Sequence, residues 1–266
     1  MKIALIGCGN MGRAILSAII SKKVSTPENI SVCEINKDCR ELIAKDFAVF
    51  TSDNSADVIK RSDIVILAVK PQSLEETMKQ IGGKFCKGQL VISIIAGKCI
   101  ATLQNGLKHN AIVRAMPNTP AQIGYGMTVW TATEAVDGQQ MAQTRTILEA
   151  MGKEIFVSDE DSIDMATAIS GSGPAYVFLF MESLIQAAER LGLPHDKANE
   201  MVMQLMIGSI KYVLSSDQPL DKLREMVTSP GGTTAAALTV FANGNLTGLV
   251  EEAATAAYNR AKELGG

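Results

Sequence analysis

At 266 residues, 47% of them apolar, the chain is long enough for one large domain or two small ones and can bury a substantial core. Its formal charge of −3 comes with scattered basic residues, not the clustered Lys/Arg footprint of a phosphate-backbone binder, so nucleic acid is excluded as an expected partner. No apolar run reaches the roughly 20 uninterrupted residues of a membrane span, and Met1-Lys2-Ile3-Ala4-Leu5-Ile6 runs straight into glycines without a signal-peptide pattern, so a cytoplasmic protein without a membrane partner is expected.

In chain order, short β-rich runs alternate with longer helical patterns as far as about residue 157. Strands are expected at Lys2–Ile6, Ile30–Cys33, Ala48–Phe50, Ile64–Leu67, Leu90–Ser93, Ala111–Ala115, Gly126–Trp130 and Lys153–Val157. Helices are expected between them at Met11–Ser21, Lys37–Lys45, Asn54–Lys60, Gln72–Gly82, Ile100–Asn105 and Gly138–Met151. This alternation predicts a doubly wound α/β domain over residues 1–158. The β pattern stops after Ser158-Asp159-Glu160-Asp161, and residues 159–266 read as an all-helical second domain punctuated by glycine and proline. Within it, Ser170-Gly171-Ser172-Gly173-Pro174 is expected to break the first helix and restart it with Pro174 at the first helical position. The segment Asn199–Leu214 carries Met201, Val202, Met203, Leu205, Met206, Ile207, Ile210 and Val213, apolar on nearly every side. So small a helical domain cannot easily surround such a helix, which points to a partner subunit, an identical one by the usual symmetry of oligomers; the alternative is a central helix wrapped by its own neighbours.

The five cysteines, Cys8, Cys33, Cys39, Cys86 and Cys99, are odd in number and form no Cys-x-x-Cys pair, which argues against a zinc site and a disulfide framework alike. No metal is expected.

Gly7-Cys8-Gly9-Asn10-Met11-Gly12 follows the first expected strand and opens the first expected helix, the context that turns a glycine pattern into a Rossmann dinucleotide fingerprint. Gly7 permits the tight turn, Gly9 lets backbone approach a pyrophosphate, and Gly12 lets the helix pack close, with Asn10 and Met11 at the helix N-terminus facing the phosphates. Glu34 stands at the end of the second strand, where a carboxylate accepts hydrogen bonds from the adenosine ribose and favours NADH. A 2′-phosphate charge about 4 Å away would be repelled by on the order of 4 kcal/mol at an effective dielectric of 20. Asn36, Lys37 and Arg40 follow directly, and they offer donors to that phosphate should Glu34 turn outward, so NADPH and NADH both stand as cofactors. Ala68-Val69-Lys70-Pro71 follows the fourth strand at the edge where open α/β sheets bind ligands; Lys70 is equally readable as a solvated lysine before a proline-started helix.

Together with these, Ser93-Ile94-Ile95-Ala96-Gly97, Arg114-Ala115-Met116-Pro117-Asn118-Thr119-Pro120, Ser170-Gly171-Ser172-Gly173-Pro174-Ala175-Tyr176 and Ser229-Pro230-Gly231-Gly232-Thr233-Thr234 resemble pyrroline-5-carboxylate reductase, in collinear order over almost the whole chain. The resemblance implies a Rossmann domain followed by a helical dimerisation domain, with dimers commonly joined into larger rings. It implies reduction of 1-pyrroline-5-carboxylate to L-proline by a nicotinamide cofactor, the last step of proline biosynthesis. By the same resemblance Asn54 contacts the adenosine end of the cofactor, and Lys70, Pro71, Ala96 and Asn118 surround the nicotinamide. Residues Ser229 and Gly231 to Thr234 form the substrate loop, with Thr234 near the substrate nitrogen and Asn118 also facing the substrate. Glu34 departs from the NADPH-using members, which are similar to one another in carrying small or phosphate-binding residues there; Thr233 departs where relatives carry alanine.

The chemistry fits the residues. A cyclic imine is itself basic, so hydride attack on the protonated iminium needs positioning more than a strong acid. His109 and His195 lie in no motif and are expected at the surface. The loop Thr228–Thr234 precedes an alanine-rich helix expected to start near Ala235; by themselves these residues read as a rigid turn and an ordinary helix cap, and with the resemblance their backbone amides and an N-cap threonine would converge on an anion such as the substrate carboxylate. A carbonyl-reducing Rossmann enzyme of the β-hydroxyacid dehydrogenase type would place a catalytic lysine in its helical domain, whereas Lys197, Lys211, Lys222 and Lys262 all lie outside glycine-rich motifs.

Overall fold

The computed structural model describes residues 1–265. Eight strands form one sheet: β1 (Ile3–Ile6), β2 (Ile30–Cys33), β3 (Phe50–Ser52), β4 (Ile64–Leu67), β5 (Leu90–Ser93), β6 (Ile112–Met116), β7 (Gly126–Ala132) and β8 (Gly152–Phe156). Their spatial order is β3-β2-β1-β4-β5-β6-β7-β8. Every neighbouring pair is parallel except β6 and β7. All residues of β1, β2, β4 and β5 are buried, as expected of parallel strands covered by helices on both faces. Alternate side chains feed two cores: Ile3 and Leu5 join Ile15, Leu16, Ile66 and Trp130, and Ala4 and Ile6 join Val65, Leu67, Ile81 and Leu103. The helices covering the sheet are α1 (Asn10–Ser21), α2 (Lys37–Phe47), α3 (Ser55–Ile59), α4 (Leu74–Ile81), α5 (Ile100–Leu107) and α6 (Gly138–Glu149).

Among the boundaries that differ from the sequence expectation, two do so for the same reason. The third strand begins at Phe50 and not at Ala48, because α2 continues to Phe47 and closes on Ala48 in the left-handed conformation, φ 54°. Likewise α5 runs two residues past Asn105 to Leu107 before Lys108 closes it at φ 53°. Non-glycine residues in left-handed closures carry no strong sequence signature.

Beyond the sheet, α7 (Asp161–Ala166) leads through a π-helical turn at Thr167–Gly171 and a bend at Ser172 into α8 (Gly173–Arg190). The expected break is therefore a widened turn within one helical rod, with Pro174 one residue inside its restart. Thr167 and Ser170 donate their hydroxyls to the carbonyls of Ile163 (2.7 Å) and Ala166 (3.0 Å), the back-bonding that bends helices. The remaining helices are α9 (His195–Leu214), α10 (Leu220–Met226), α11 (Thr233–Asn243) and α12 (Leu246–Gly265).

Packing divides the chain into two compact units, Met1–Pro174 with the end of α12 from Ala257, and Ala175–Ala256. The change from strands to helices after residue 158 does not coincide with this division, and one buried cation explains why. Arg114 on β6 is 3% exposed and bonds Glu160 at 2.9 Å and Asp164 at 2.5 Å, which ties α7 to the sheet. Glu160 also accepts the backbone N–H of Ile100 at the start of α5, at 2.7 Å. The end of α12 joins the same unit: the Tyr258 hydroxyl donates to Asp161 at 2.8 Å, Lys262 pairs with Asp161 at 3.2 Å, and the Lys98 ammonium donates to the Leu264 carbonyl at 3.1 Å. The Tyr258 hydroxyl, then Lys262, hold the Asp161 carboxyl below its usual range.

In the second unit, α9 buries only Ala198 and Val202, leaving Met201, Leu205, Ile207 and Ile210 half or more exposed. The rod Asp161–Arg190 is long and apolar enough to cross a membrane by length and composition, with Phe178 and Leu179 likewise exposed. Exposed apolar side chains in such number on these helices are what a protein–protein interface presents.

The ion triad around Arg114 generates a stability prediction. Arg114→Met removes the cation and leaves two carboxylates facing each other in a mostly buried site, which costs about 3–5 kcal/mol. The urea midpoint is expected to fall accordingly, and an unchanged midpoint would refute the role given to the triad.

Candidate functional site

Because β1, β4, β5 and β6 run parallel, with Ile6 beside Leu67, Leu67 beside Ser93 and Ser93 beside Arg114, the loops that leave them open on one edge of the sheet. β1 lies between β2 and β4, so the chain order reverses there, and the crevice outside the strand ends is where open α/β sheets take ligands. Gly7 sits at this point with φ +85° and accepts no side chain: a Cβ would lie 2.8 Å from the Val69 nitrogen and 2.9 Å from the Ala68 carbonyl. At Gly12 a Cβ would meet the Gly7 carbonyl oxygen at 2.7 Å. Gly9 is different, with open space around the position a Cβ would take. Gly9 also occupies the N-cap of α1, which has no side-chain cap and no acidic residue in its first turn, so the amides at Asn10 and Met11 remain available to an anion. Two glycines that pack and one that leaves room fit a dinucleotide pyrophosphate.

At the end of β2, Glu34 does not turn outward. One carboxylate oxygen accepts the Cys8 N–H at 3.1 Å and the other the Asn36 N–H at 3.0 Å. Arg40 donates to the Glu34 carbonyl at 2.8 Å and the Ile35 carbonyl at 3.3 Å and pairs with Asp53 at 3.4 Å. The Asn36 side chain caps α2 by accepting the Cys39 N–H, and Asn54 caps α3 by accepting the Ala56 N–H. Burial pushes the Cys8 thiol up to about 12, so it is a neutral packing group and not a nucleophile.

Ala68 and Val69 back the glycine loop; Lys70 is exposed at the cap of a 3-10 turn begun by Pro71. Ala96 lies in the turn after β5. Asn118, after β6, is held at both ends of its amide: it donates to the Ser170 carbonyl at 3.0 Å and accepts the Met127 N–H at 2.9 Å. It thereby satisfies a carbonyl in the π-turn and joins that turn to the β6–β7 connection. The sequence held no local signal for this link, nor for the Arg114 triad, since both join residues some 50 positions apart. All twelve residues expected at the cofactor, Gly7, Gly9, Asn10, Met11, Gly12, Glu34, Asn54, Ala68, Val69, Lys70, Pro71 and Ala96, fall in the connections at this edge or in the helix turns they open.

The loop expected to take the substrate, residues 229–234, lies in the second unit. Contrary to expectation, α11 starts at Thr233 and not near Ala235, with Gly232 as an extended N-cap and no side-chain cap. Thr233 and Thr234 are therefore the first two helical residues, and their amides, not a threonine cap, face outward from the helix start. Gly231 takes φ +71°, and the Gly232 N–H closes a turn on the Ser229 carbonyl at 3.0 Å. A Cβ at Gly232 would lie 3.1 Å from that carbonyl oxygen and closer still to the Ser229 hydroxyl. The loop presents backbone donors toward a helix N-terminus and carries no cation, an arrangement suited to a small carboxylate.

Residues 160–264 match the family described as pyrroline-5-carboxylate reductase dimerisation, and residues 2–97 match the family described as NADP oxidoreductase, coenzyme F420-dependent. The chain is 37% identical over 265 residues to pyrroline-5-carboxylate reductase of Synechocystis sp., covering 100% of this chain and 98% of the relative. It is 36% identical over 264 residues to the enzyme of the same name from Escherichia coli K12, at 99% and 98% coverage. Among solved structures, a pyrroline-5-carboxylate reductase from Coxiella burnetii superposes with a TM-score of 0.89 at 39% identity, covering 100% of this chain and 98% of that one. Pyrroline carboxylate reductase of Plasmodium falciparum with NADP bound gives 0.90 at 31% identity, again at 100% and 98%. This chain belongs to the pyrroline-5-carboxylate reductase family.

Proposed function

We propose that this chain reduces 1-pyrroline-5-carboxylate to L-proline with NADPH or NADH, the last step of proline biosynthesis. The observation that carries the reading is the end-to-end likeness to pyrroline-5-carboxylate reductases, 37% identity across 100% of the chain. The open approach at Gly9 and the carboxylate-sized loop before α11 agree with it.

When bound, the reduced nicotinamide supplies the hydride. The chain's own part is to hold and orient. Gly7, Gly9, Asn10, Met11 and Gly12 take the pyrophosphate, Glu34 and Asn54 the adenosine end, and Ala68, Val69, Lys70, Pro71 and Ala96 the remainder of the cofactor. Ser229, Gly231, Gly232, Thr233 and Thr234 bind the substrate carboxylate, mainly through charge-assisted hydrogen bonds of about 1.5–3 kcal/mol each, since a helix dipole contributes only about 0.3–2 kcal/mol. Thr234 lies near the substrate nitrogen, accepts the N–H of the protonated imine on its hydroxyl oxygen and so orients the ring. Asn118, whose amide is already engaged, acts on the substrate side by holding the π-turn in place. No strong side-chain acid is required, because the imine nitrogen carries its own proton. The histidines accord with this: His109 bonds the Gln89 carbonyl at 2.8 Å, just before β5 and so at the opposite edge of the sheet, and His195 pairs with Glu189 on the surface. Orienting two reactants is worth roughly 7–11 kcal/mol in the best cases.

Residues 1–158 are assigned as the dinucleotide-binding domain and residues 159–266 as the dimerisation and substrate domain. The exposed faces of α8 and α9 serve a homodimer, with dimers joined into a larger ring as in the resemblance noted from the motifs. The enzyme is placed in the cytoplasm, with neither nucleic acid nor membrane as a partner.

Oxidation of NAD(P)H should depend on added 1-pyrroline-5-carboxylate; nucleotide binding without imine-dependent oxidation would refute the reading. Thr234→Ala is expected to lower kcat/KM tenfold to a hundredfold, about 1.4–2.8 kcal/mol of transition-state stabilisation, and unchanged kinetics would remove it from the mechanism. Gly232→Leu should displace Ser229 and abolish imine turnover while the nucleotide dissociation constant stays the same. Loss of both would count against the division of labour proposed.

A further inference from the structure

The geometry points to Glu34 as a selectivity residue that makes this chain prefer NADH over NADPH, an inference that rests on the nucleotide role proposed for the glycine loop. The carboxylate cannot swing aside without breaking two backbone hydrogen bonds, to Cys8 at 3.1 Å and Asn36 at 3.0 Å. One of these anchors lies inside the glycine loop itself, so the negative charge is fixed at the end of β2, where the adenosine ribose of a dinucleotide on this edge arrives. A carboxylate there accepts from ribose hydroxyls and repels a phosphate on the 2′ oxygen.

A protein can carry such a carboxylate and still take NADPH if a cation or a helix start clamps the phosphate. Here those groups are engaged elsewhere. Arg40, with a side chain only 19% exposed, is turned onto the Glu34 and Ile35 carbonyls and onto Asp53. Lys37 extends along α2 toward Glu41 at 3.8 Å. The first turn of α2 is capped by Asn36 and contains Asp38. Asp53 adds a second carboxylate, largely exposed, beside Arg40. The region thus presents two fixed or exposed negative charges, and its nearest guanidinium is already neutralised.

The test is direct binding without imine, by titration calorimetry on the purified chain. NADH should bind at least tenfold more tightly than NADPH, about 1.4 kcal/mol; any smaller ratio, or a preference for NADPH, overturns the inference. Glu34→Gln keeps an oxygen that accepts from Cys8 but removes the charge, and should shrink the ratio at least tenfold; a ratio that persists assigns the preference to another residue. A second measurement on the unaltered chain serves even if that variant misfolds: 5′-AMP should bind more tightly than adenosine 2′,5′-bisphosphate, and the reverse order overturns the inference. Because no imine is present, a preference for NADH without imine turnover would leave this inference standing and refute the proposed reaction, whereas imine turnover with a preference for NADPH would do the opposite.

Discussion

The backbone at Gly7 turns through φ +85° while the chain leaving β4 passes so close that a Cβ would lie 2.8 Å from the Val69 nitrogen. That contact brings two loops from adjacent parallel strands together at the place where the sheet's winding reverses. With Gly7 seated, α1 can start immediately, Gly12 can lie against the Gly7 carbonyl, and the Cys8 amide is aimed at Glu34. A methyl group at Gly7 would push β1 and β4 apart and carry with it the anchor of the Glu34 carboxylate. The absence of one side chain therefore governs both the shape of the phosphate-facing loop and the charge beside it.

A second group of contacts holds the other end of the edge. Arg114 points from β6 into Glu160 and Asp164, and four residues along the chain Asn118 takes hold of the π-turn carbonyl of Ser170. Both join the strand's end to the same helical segment, one by charge and one by an amide. Pro174, four residues after Ser170, has no N–H to give to the Ser170 carbonyl, and the Asn118 side chain supplies a donor in its place. The widened turn is thus a held feature of the fold, and it allows Gly171 to approach the Met116 side chain.

Much of this was legible from residue order. Apolar runs such as Ile64–Leu67, and the first three residues of Leu90–Ser93, reveal buried parallel strands because no alternation is needed when both faces are covered. The glycine loop is legible because each glycine has its own steric reason. Other features were hidden for identifiable reasons. Arg114 looks like an outward-facing charge until partners nearly 50 residues later neutralise it. The start of α11 was misplaced because threonine is a good cap and a mediocre helix former, whereas here Gly232 takes the extended cap position and both threonines enter the helix. Glu34 announced itself as a charge at the end of the second strand, but its orientation depended on the Cys8 amide, which no pattern in the sequence reports.

The return of α12 to the first unit has a consequence for the order in which the protein forms. Residues 1–174 leave the ribosome well before Ala257, yet Tyr258 closes on Asp161 across 97 residues and Lys98 reaches Leu264 across 166. Contacts of such long sequence separation form slowly and late. The nucleotide-binding unit, synthesised first, is therefore completed last, after the entire helical unit has emerged. Until then the α12 approach to Gly97 stands open, and the binding edge matures only as the whole chain closes on itself.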